Sequence, residues 1–298
     1  MKKKISIIGA NSYIARNLIH VLMRDPESYE IALYDKAETQ ADGLANYTSV
    51  DLFSEASTDL IDFDCDLLFM FVGKTGSENG FDEFDLFIDI NERALLWVLR
   101  AYRKHNSRAK IIFPSTRLVY KGRPGALRED AEKEFKTVYA INKFACEQYL
   151  EMYHRVYGIS YCIFRICIPY GTLIAGASSY GTAEFMLKKA TNAEDITLYG
   201  DGKIRRTLTD MGDLCEILIK ASLSAACEND VFNIGGEDYS LLEMADLIAR
   251  RYGVQVRFVS WPETALKIES GDTVFDAGKL ENAIGAYTYH PFADWCQR

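Results

Sequence analysis

The sequence predicts an α/β fold, a doubly wound parallel sheet with a smaller, discontinuous α+β lobe. Three observations predict it. Short apolar runs alternate with long helical periodicities as far as Tyr170. The run Leu67–Val72 (LLFMFV) is apolar without a break, as a strand buried on both faces requires. The first run ends in a turn of small residues that leads straight into a helix, the join found at the carboxyl edge of such sheets.

Each element has its own signal. Lys4–Ile8, rich in isoleucine, reads as the first strand. Tyr13–Arg24 places Ile14, Leu18, Ile19 and Leu22 on one helical face. Glu30–Tyr34 is a second strand, and Thr48–Val50 a short strand-like stretch. Phe84–His105 reads as one long helix with Leu86, Ile90, Leu95, Val98, Leu99 and Tyr102 inward. Lys110–Phe113 and Ser160–Ile166 are further strands, with the helix Val138–Tyr157 between them. Beyond Tyr170 the pattern loosens. Leu214–Ala221 and Leu241–Tyr252 read as helices, and Val254–Val259 as a strand. Short connections between alternating strands and helices give parallel pairing, with ligands at the carboxyl ends of the strands.

Composition narrows the function. The chain of 298 residues is 48% hydrophobic and 26% charged, an ordinary globular balance. Its net charge of −9 argues against nucleic acid or an anionic membrane as the main partner. No apolar run reaches the ~18 residues of a membrane helix. The stretch Ile5–Ile8 stops at Gly9, too soon for a signal-peptide core. The 7 cysteines are scattered, so no disulfide framework is expected and a reducing cytoplasm is the expected location. His20, His105, His154 and His290 lie far apart in the chain, so no metal is expected.

The turn after the first strand carries small residues at Gly9, Ser12 and Ala15. That spacing suits close backbone approach to a pyrophosphate at a helix N-terminus. Gly9, Asn11, Ser12, Tyr13 and Ile14 are therefore candidate cofactor residues. Asp35 ends the second strand, where a carboxylate binds adenosine ribose hydroxyls and disfavours a 2′-phosphate. This points to NAD. Asp51 and Leu52 follow the next strand-like stretch and are expected near the adenine.

Tyr139 and Lys143 share a helix face. An ammonium ~4 Å from a phenol, at an effective dielectric of ~20, is worth ~4 kcal/mol, about three pKa units. A phenolate base near neutral pH is then the expectation. The same spacing at Tyr199 and Lys203 is interrupted by Gly200 and Gly202, so it forms no such face. Ser115 and Thr116 end a strand, where a hydroxyl can hold the oxygen of a reacting alcohol or ketone.

Together these pieces resemble the extended short-chain dehydrogenase/reductase family, in its NAD-dependent epimerase/dehydratase group acting on nucleotide sugars. The segments GANSYIA, LYDK, LFMFVG, FPSTRLVYKG, YAINK, FRICIPYG, LYGDGKIRRTLTDMGDL and VFNIGGEDYSLLEMADLIA occur in the family's order. The resemblance implies a Rossmann-type domain of residues 1–168 and 207–235, and a nucleotide-sugar lobe of 169–206 and 236–298. It puts the catalytic hydroxyl on Thr116, the base on Tyr139, and the base's partner on Lys143, which also reaches the nicotinamide ribose. Val72 and Gly73 fall beside the cofactor. Arg206, with Arg205 adjacent, falls on the arginine that grips the substrate diphosphate. Loops 76–82 and 172–182 are expected to set specificity.

The departures are informative. Ser12 and Ala15 replace two family glycines, and Ile168 stands where many members carry an asparagine. Arg117 and Leu118 stand where 4,6-dehydratases carry an acid/base pair, so dehydration is not expected. The expected activity is C4 epimerisation of a nucleotide sugar. The alternatives are an NAD(P)H-dependent 4-keto-sugar reductase and a non-catalytic dinucleotide sensor. A homodimer is expected through the helices at 84–105 and 138–157, with Trp97, Tyr149 and Tyr153 supplying apolar surface.

Overall fold

The computed structural model describes residues 2–177 and 181–297. In chain order the strands of the first half are β1 Lys3–Ile8, β2 Tyr29–Asp35, β3 Tyr47–Ser49, β4 Leu67–Met70, β5 Lys110–Thr116, β6 Ala126–Leu127 and β7 Tyr161–Ile166. The strands of the second half are β8 Ile168–Tyr170, β9 Ile196–Tyr199, β10 Arg205–Asp210, β11 Asp230–Asn233, β12 Glu237–Ser240, β13 Val256–Val259 and β14 Val274–Phe275. The helices are α1 Tyr13–Leu22, α2 Glu55–Thr58, α3 Phe84–Ile88, α4 Ala94–Lys104, α5 Val138–Tyr157, α6 Thr182–Thr191, α7 Met211–Leu223, α8 Leu241–Tyr252, α9 Glu263–Ile268, α10 Gly278–Ile284 and α11 Phe292–Trp295.

Seven strands form one parallel sheet in the order β11-β7-β5-β4-β1-β2-β3. The chain winds one way from β1 to β3 and the other way from β4 to β11. The crevice therefore opens above β1 and β4, the switch point where ligands of such sheets bind. This is the Rossmann-type arrangement. Alternation along the strands splits the core into two layers. Ile5, Ile7, Leu67 and Phe69 pack with Leu18 of α1 and Leu214 and Leu218 of α7. Ile8, Leu68, Met70 and Phe113 pack on the other face with Leu95 and Val98 of α4 and Leu150 of α5.

A second, three-stranded sheet runs β12-β10-β8, and β9 pairs with β13 beside it. Tyr170, Met186, Leu198, Leu208, Met244, Ile248 and Phe292 form its core. The division expected between residues 206 and 207 falls inside β10. Moreover Leu280 of α10 is buried in the large sheet's core, not in the smaller one. The chain thus crosses back late, because β14 pairs with β6 and carries α10 to the large sheet.

The helix expected over 84–105 is broken by a π-helical turn at Asp89–Arg93. Asn91 lies buried in that turn. Its Oδ1 accepts from the Lys74 backbone N–H at 2.9 Å, and its Nδ2 donates to the Lys74 carbonyl at 3.0 Å. The extra residue turns Asn91 toward the loop after β4, a use of π-turns common near functional sites.

Candidate active site

The expected cofactor residues lie at or just beyond the carboxyl ends of β1, β2, β3, β4 and β5, with Tyr139 and Lys143 on α5. At Gly9 the backbone has φ +85°, and a Cβ there would stand 2.7 Å from the Phe71 carbonyl carbon. Glycine is needed for both reasons. Ser12 precedes α1 as its N-cap, yet its Oγ makes no capping hydrogen bond. That oxygen is buried without a hydrogen-bond partner. Asp35 ends β2; its Oδ2 accepts from the Asn11 N–H at 3.0 Å and its Oδ1 from the Lys36 N–H at 2.7 Å. The Asn11 side chain spans to the next loop, donating to the Thr39 carbonyl and accepting from the Ala41 N–H. Tyr13 turns the other way, and its hydroxyl donates to the Gly171 carbonyl. Ile14 packs against the core. Asp51 is exposed and accepts from the Phe53 N–H, while Leu52 is buried in the core. Val72 and Gly73 follow β4, Val72 against Gly9 and Gly73 by Asn91 and Lys143.

The expected catalytic residues meet at the end of β5. Ser115 and Thr116 are buried. Thr116 caps a short turn, its Oγ1 accepting from the Leu118 N–H at 3.3 Å. Thr137 starts α5 the same way, its Oγ1 accepting from the Ala140 N–H at 3.1 Å. That cap fixes the first turn, which carries Tyr139. Burial pushes the Tyr139 phenol above its ordinary range, and the neighbouring Thr116 hydroxyl pulls it part of the way back. The expectation that Lys143 lowers Tyr139 is not met in this arrangement. The Lys143 ammonium lies over the Phe113 ring, 4.3 Å from its centroid. A Cβ on Gly73 would come within 3.8 Å of it. The two side chains share a helix face, but the cation points to the cofactor loop.

Burial brings Lys143 down to about 8. Desolvation penalises its charged form, so the stability cost is present below about pH 8 and fades above pH 10.5. Lys143→Met is expected to melt a few degrees higher than the parent at pH 7, a gain that vanishes in strong alkali. In the parent, kcat/KM is expected to fall on the alkaline side with an apparent pKa near 8. Calorimetry and a pH–rate profile check the two halves; a variant that melts lower at pH 7 contradicts the first.

Arg206 is not open to a substrate. It is only 2% exposed. Its Nη2 donates to Glu269 Oε1 at 2.6 Å, and its Nη1 to the carbonyls of Arg205 and Gly271. Arg205 is nearer the surface and ion-paired with Asp238 and Glu243. The expected grip on a diphosphate is therefore absent from this arrangement, because the Glu269 carboxylate and two backbone carbonyls take up the guanidinium. Ile168 is buried and apolar in β8. Residues 178–180 of the expected specificity loop lie outside the described residues.

Residues 5–235 match the model of the NAD dependent epimerase/dehydratase family. The chain belongs to that family. CDP-paratose 2-epimerase of Salmonella typhi is 26% identical over 247 residues, 74% of this chain and 72% of that protein. UDP-N-acetyl-alpha-D-glucosaminuronate decarboxylase of Bacillus cytotoxicus is 25% identical over 251 residues, 80% of this chain and 76% of that protein. The UDP-glucuronic acid 4-epimerase of Bacillus cereus, solved with UDP-glucuronic acid and NAD, superposes with a TM-score of 0.83. It is 20% identical, covering 99% of this chain and 96% of that one.

As a member of this family the chain is an NAD-dependent enzyme, and the residues present fit NAD. The unpartnered Ser12 Oγ sits where a helix N-terminus awaits an anion. The Gly9 cradle admits no side chain, and Asp35 keeps lone pairs for ribose hydroxyls. Spacing alone passed over three supporting groups. Glu147 lies one turn beyond Lys143, so 139, 143 and 147 form one row on α5. It pairs with Arg165, the one charge in the apolar strand YCIFRI. A charge in a doubly buried run signals such a partner. Asn91 gave no signal, since its turn is set by tertiary bonds.

The described residues also bring Asp210, Asp213 and His290 together. Asp213 is buried and accepts from the His290 N–H at 2.7 Å and the Tyr287 hydroxyl at 3.1 Å, while Asp210 caps α7. These bonds fasten the C-terminal segment.

Proposed function

We propose that this enzyme is a nucleotide-sugar epimerase that oxidises a sugar hydroxyl, most naturally at C4, and returns the hydrogen to the other face. The observation that carries the reading is the meeting of Thr116, Tyr139 and Lys143 at the carboxyl end of β5, beside a turn that fits NAD. NAD, when bound, accepts and returns hydride. Thr116 orients the sugar oxygen and Tyr139 takes its proton. Lys143, which points to the loop after β4, holds the ribose side. Gly9, Asn11, Ser12, Tyr13, Ile14, Asp35, Asp51, Leu52, Val72, Gly73 and Ser115 shape the NAD edge. The cleft between the large sheet and the smaller one holds the sugar and its diphosphate.

A 4-keto-sugar reductase is the second reading, favoured by Ile168, which offers a sugar no polar group. Mass spectrometry of small molecules released on denaturation, paired with chromatography of UDP-sugars after incubation, separates the two. Near-stoichiometric NAD and interconversion of two sugar epimers support the epimerase. An empty site that fills with NADH or NADPH, with no epimer formed, replaces it with the reductase.

The exposed Leu86 of α3 and Ile141, Met152 and Val156 of α5 favour a homodimer through these helices. Tyr149 and Tyr153 pack within the chain instead. Light scattering on the same preparation tests for twice 33.8 kDa. Cytoplasmic location rests on the 7 free cysteines and on the absence, among the described residues, of any helix long and apolar enough to cross a membrane.

A further inference from the structure

Helix α1 buries five residues, and four of them are Ala15, Leu18, Ile19 and Leu22. The fifth is Asn17, which is 0% exposed. A buried amide is costly unless its polar atoms are bonded, and here they are. Its Nδ2 donates to the Tyr13 carbonyl at 2.8 Å, within the helix. Its Oδ1 accepts from the Leu173 N–H at 2.7 Å, with the Thr172 hydroxyl 3.2 Å away. Two neighbours on α1 reach the same segment. The Tyr13 hydroxyl donates to the Gly171 carbonyl, and Arg16 Nη1 donates to the Gly176 carbonyl at 2.9 Å. The first two turns of α1 thus hold residues 171–176 by their main chain, which fixes the path of that segment whatever its side chains.

The same turns border the cofactor side. Ser12, with its unpartnered Oγ, directly precedes Tyr13 at the end of α1 that fits a pyrophosphate. Arg16 also pairs with Asp42, donating to its carboxylate oxygens from Nε at 2.9 Å and Nη2 at 2.5 Å. Asp42 lies in the loop after β2, where Asn11 bonds Thr39 and Ala41 and its own N–H bonds Asp35. Arg16 therefore stands between the loop beside Asp35 and the segment 171–176. That segment follows β8 of the smaller sheet and leads toward α6, so its path sets how the smaller lobe meets the large sheet. An element tied to two sites couples them when each ligand favours the same placement. We infer that Asn17 and Arg16 are positioning residues: through them the cofactor helix sets segment 171–176 for the nucleotide sugar, and a filled NAD site strengthens sugar-nucleotide binding. The inference rests on the nucleotide-sugar reading given above and adds how its two sites act on each other.

The test uses the full-length protein loaded with NAD. The probe is UDP-glucose, replaced by CDP-, GDP- and dTDP-glucose in turn if the parent does not bind it. Calorimetry gives the affinity for the sugar nucleotide, and equilibrium dialysis gives the affinity for NAD with and without it. In the parent, the sugar nucleotide is expected to tighten NAD about ten-fold, within the roughly 5- to 150-fold range of coupled sites. In Asn17→Ala and in Arg16→Met it is expected to tighten NAD less than about two-fold. By linkage its own affinity for the NAD-loaded variants falls about ten-fold. Melting temperature reports whether each variant is folded, and Arg16→Met carries the test alone if Asn17→Ala is not. A role confined to stability lowers the melting temperature and the binding stoichiometry but leaves both affinities of the folded protein unchanged, and that result overturns the inference. Equal tightening of NAD in parent and variants also overturns it, as does none in the parent. If no sugar nucleotide binds the parent, the nucleotide-sugar reading itself falls, and the inference with it.

Discussion

Replacing Tyr139 by phenylalanine is expected to cut turnover of any sugar substrate about a thousand-fold, within the range that proton transfer by a positioned side chain contributes. The change removes one oxygen and keeps the ring. The Tyr139 hydroxyl meets the neutral Thr116 hydroxyl, a contact worth about 1 kcal/mol, so the melting temperature should move by only a few degrees. NAD binding should persist, because the NAD edge is built from the ends of β1, β2 and β4 and from Lys143. What is lost is the group proposed to take and return the proton beside Thr116. The buried phenol sits above its ordinary pKa, so its ionisation is the demanding step. The turnover of Tyr139→Phe in single-turnover assays, with NAD content measured in parallel, checks this. A variant within about ten-fold of the parent would mean that proton transfer uses another group, and it would remove the basis of both the epimerase and the reductase readings.

What the sequence made legible is local. Helix α5 runs from Val138 to Tyr157, as its periodicity predicts, because Thr137 caps one end and Gly158, at φ +69°, closes the other. The turn, helix start and strand end proposed to hold NAD were legible as elements for the same reason, since each leaves its signal within a few residues. Distance in the chain hid the rest. The π-turn at Asp89–Arg93 is held by Asn91 bonding a residue 17 positions away. Glu269 pairs with Arg206 from 63 positions away, which no spacing rule near Gly200–Gly202 anticipates. The division expected at 206/207 fell inside β10 because pairing with β8 and β12, not composition, decides where that strand belongs. The row 139, 143, 147 was visible, but its last member carries meaning only once Arg165 is seen opposite.

That pair supplies the second large effect. Glu147 and Arg165 have side chains 2% and 4% exposed. Arg165 Nε and Nη2 donate to the two carboxylate oxygens at 3.0 and 2.6 Å. Its Nη1 donates to the Tyr120 hydroxyl at 2.7 Å and the Glu129 carbonyl at 2.9 Å. Tyr120 passes the chain on to Asn233 Oδ1 at 2.7 Å, and Ser115 Oγ donates to Glu147 from the catalytic strand. Glu147→Ala is therefore expected to cost about 3–5 kcal/mol, because it strands a buried guanidinium. At about 2–4 °C per kcal/mol this lowers the melting temperature by roughly 6–20 °C. The double variant Glu147→Leu with Arg165→Met should cost less than Glu147→Ala, since removing both charges leaves nothing stranded. Denaturant unfolding of the three proteins measures this, and a Glu147→Ala cost under about 1 kcal/mol would refute it. The network also reaches the chemistry. The Glu147 charge raises Lys143 against the burial that lowers it. Glu147→Gln, the milder change, should therefore move the alkaline limb of the rate profile below its parent value near pH 8. A purely structural role would reduce the amount of folded enzyme but leave that limb where it was, so the profile separates a scaffold from a network that sets the charge of Lys143.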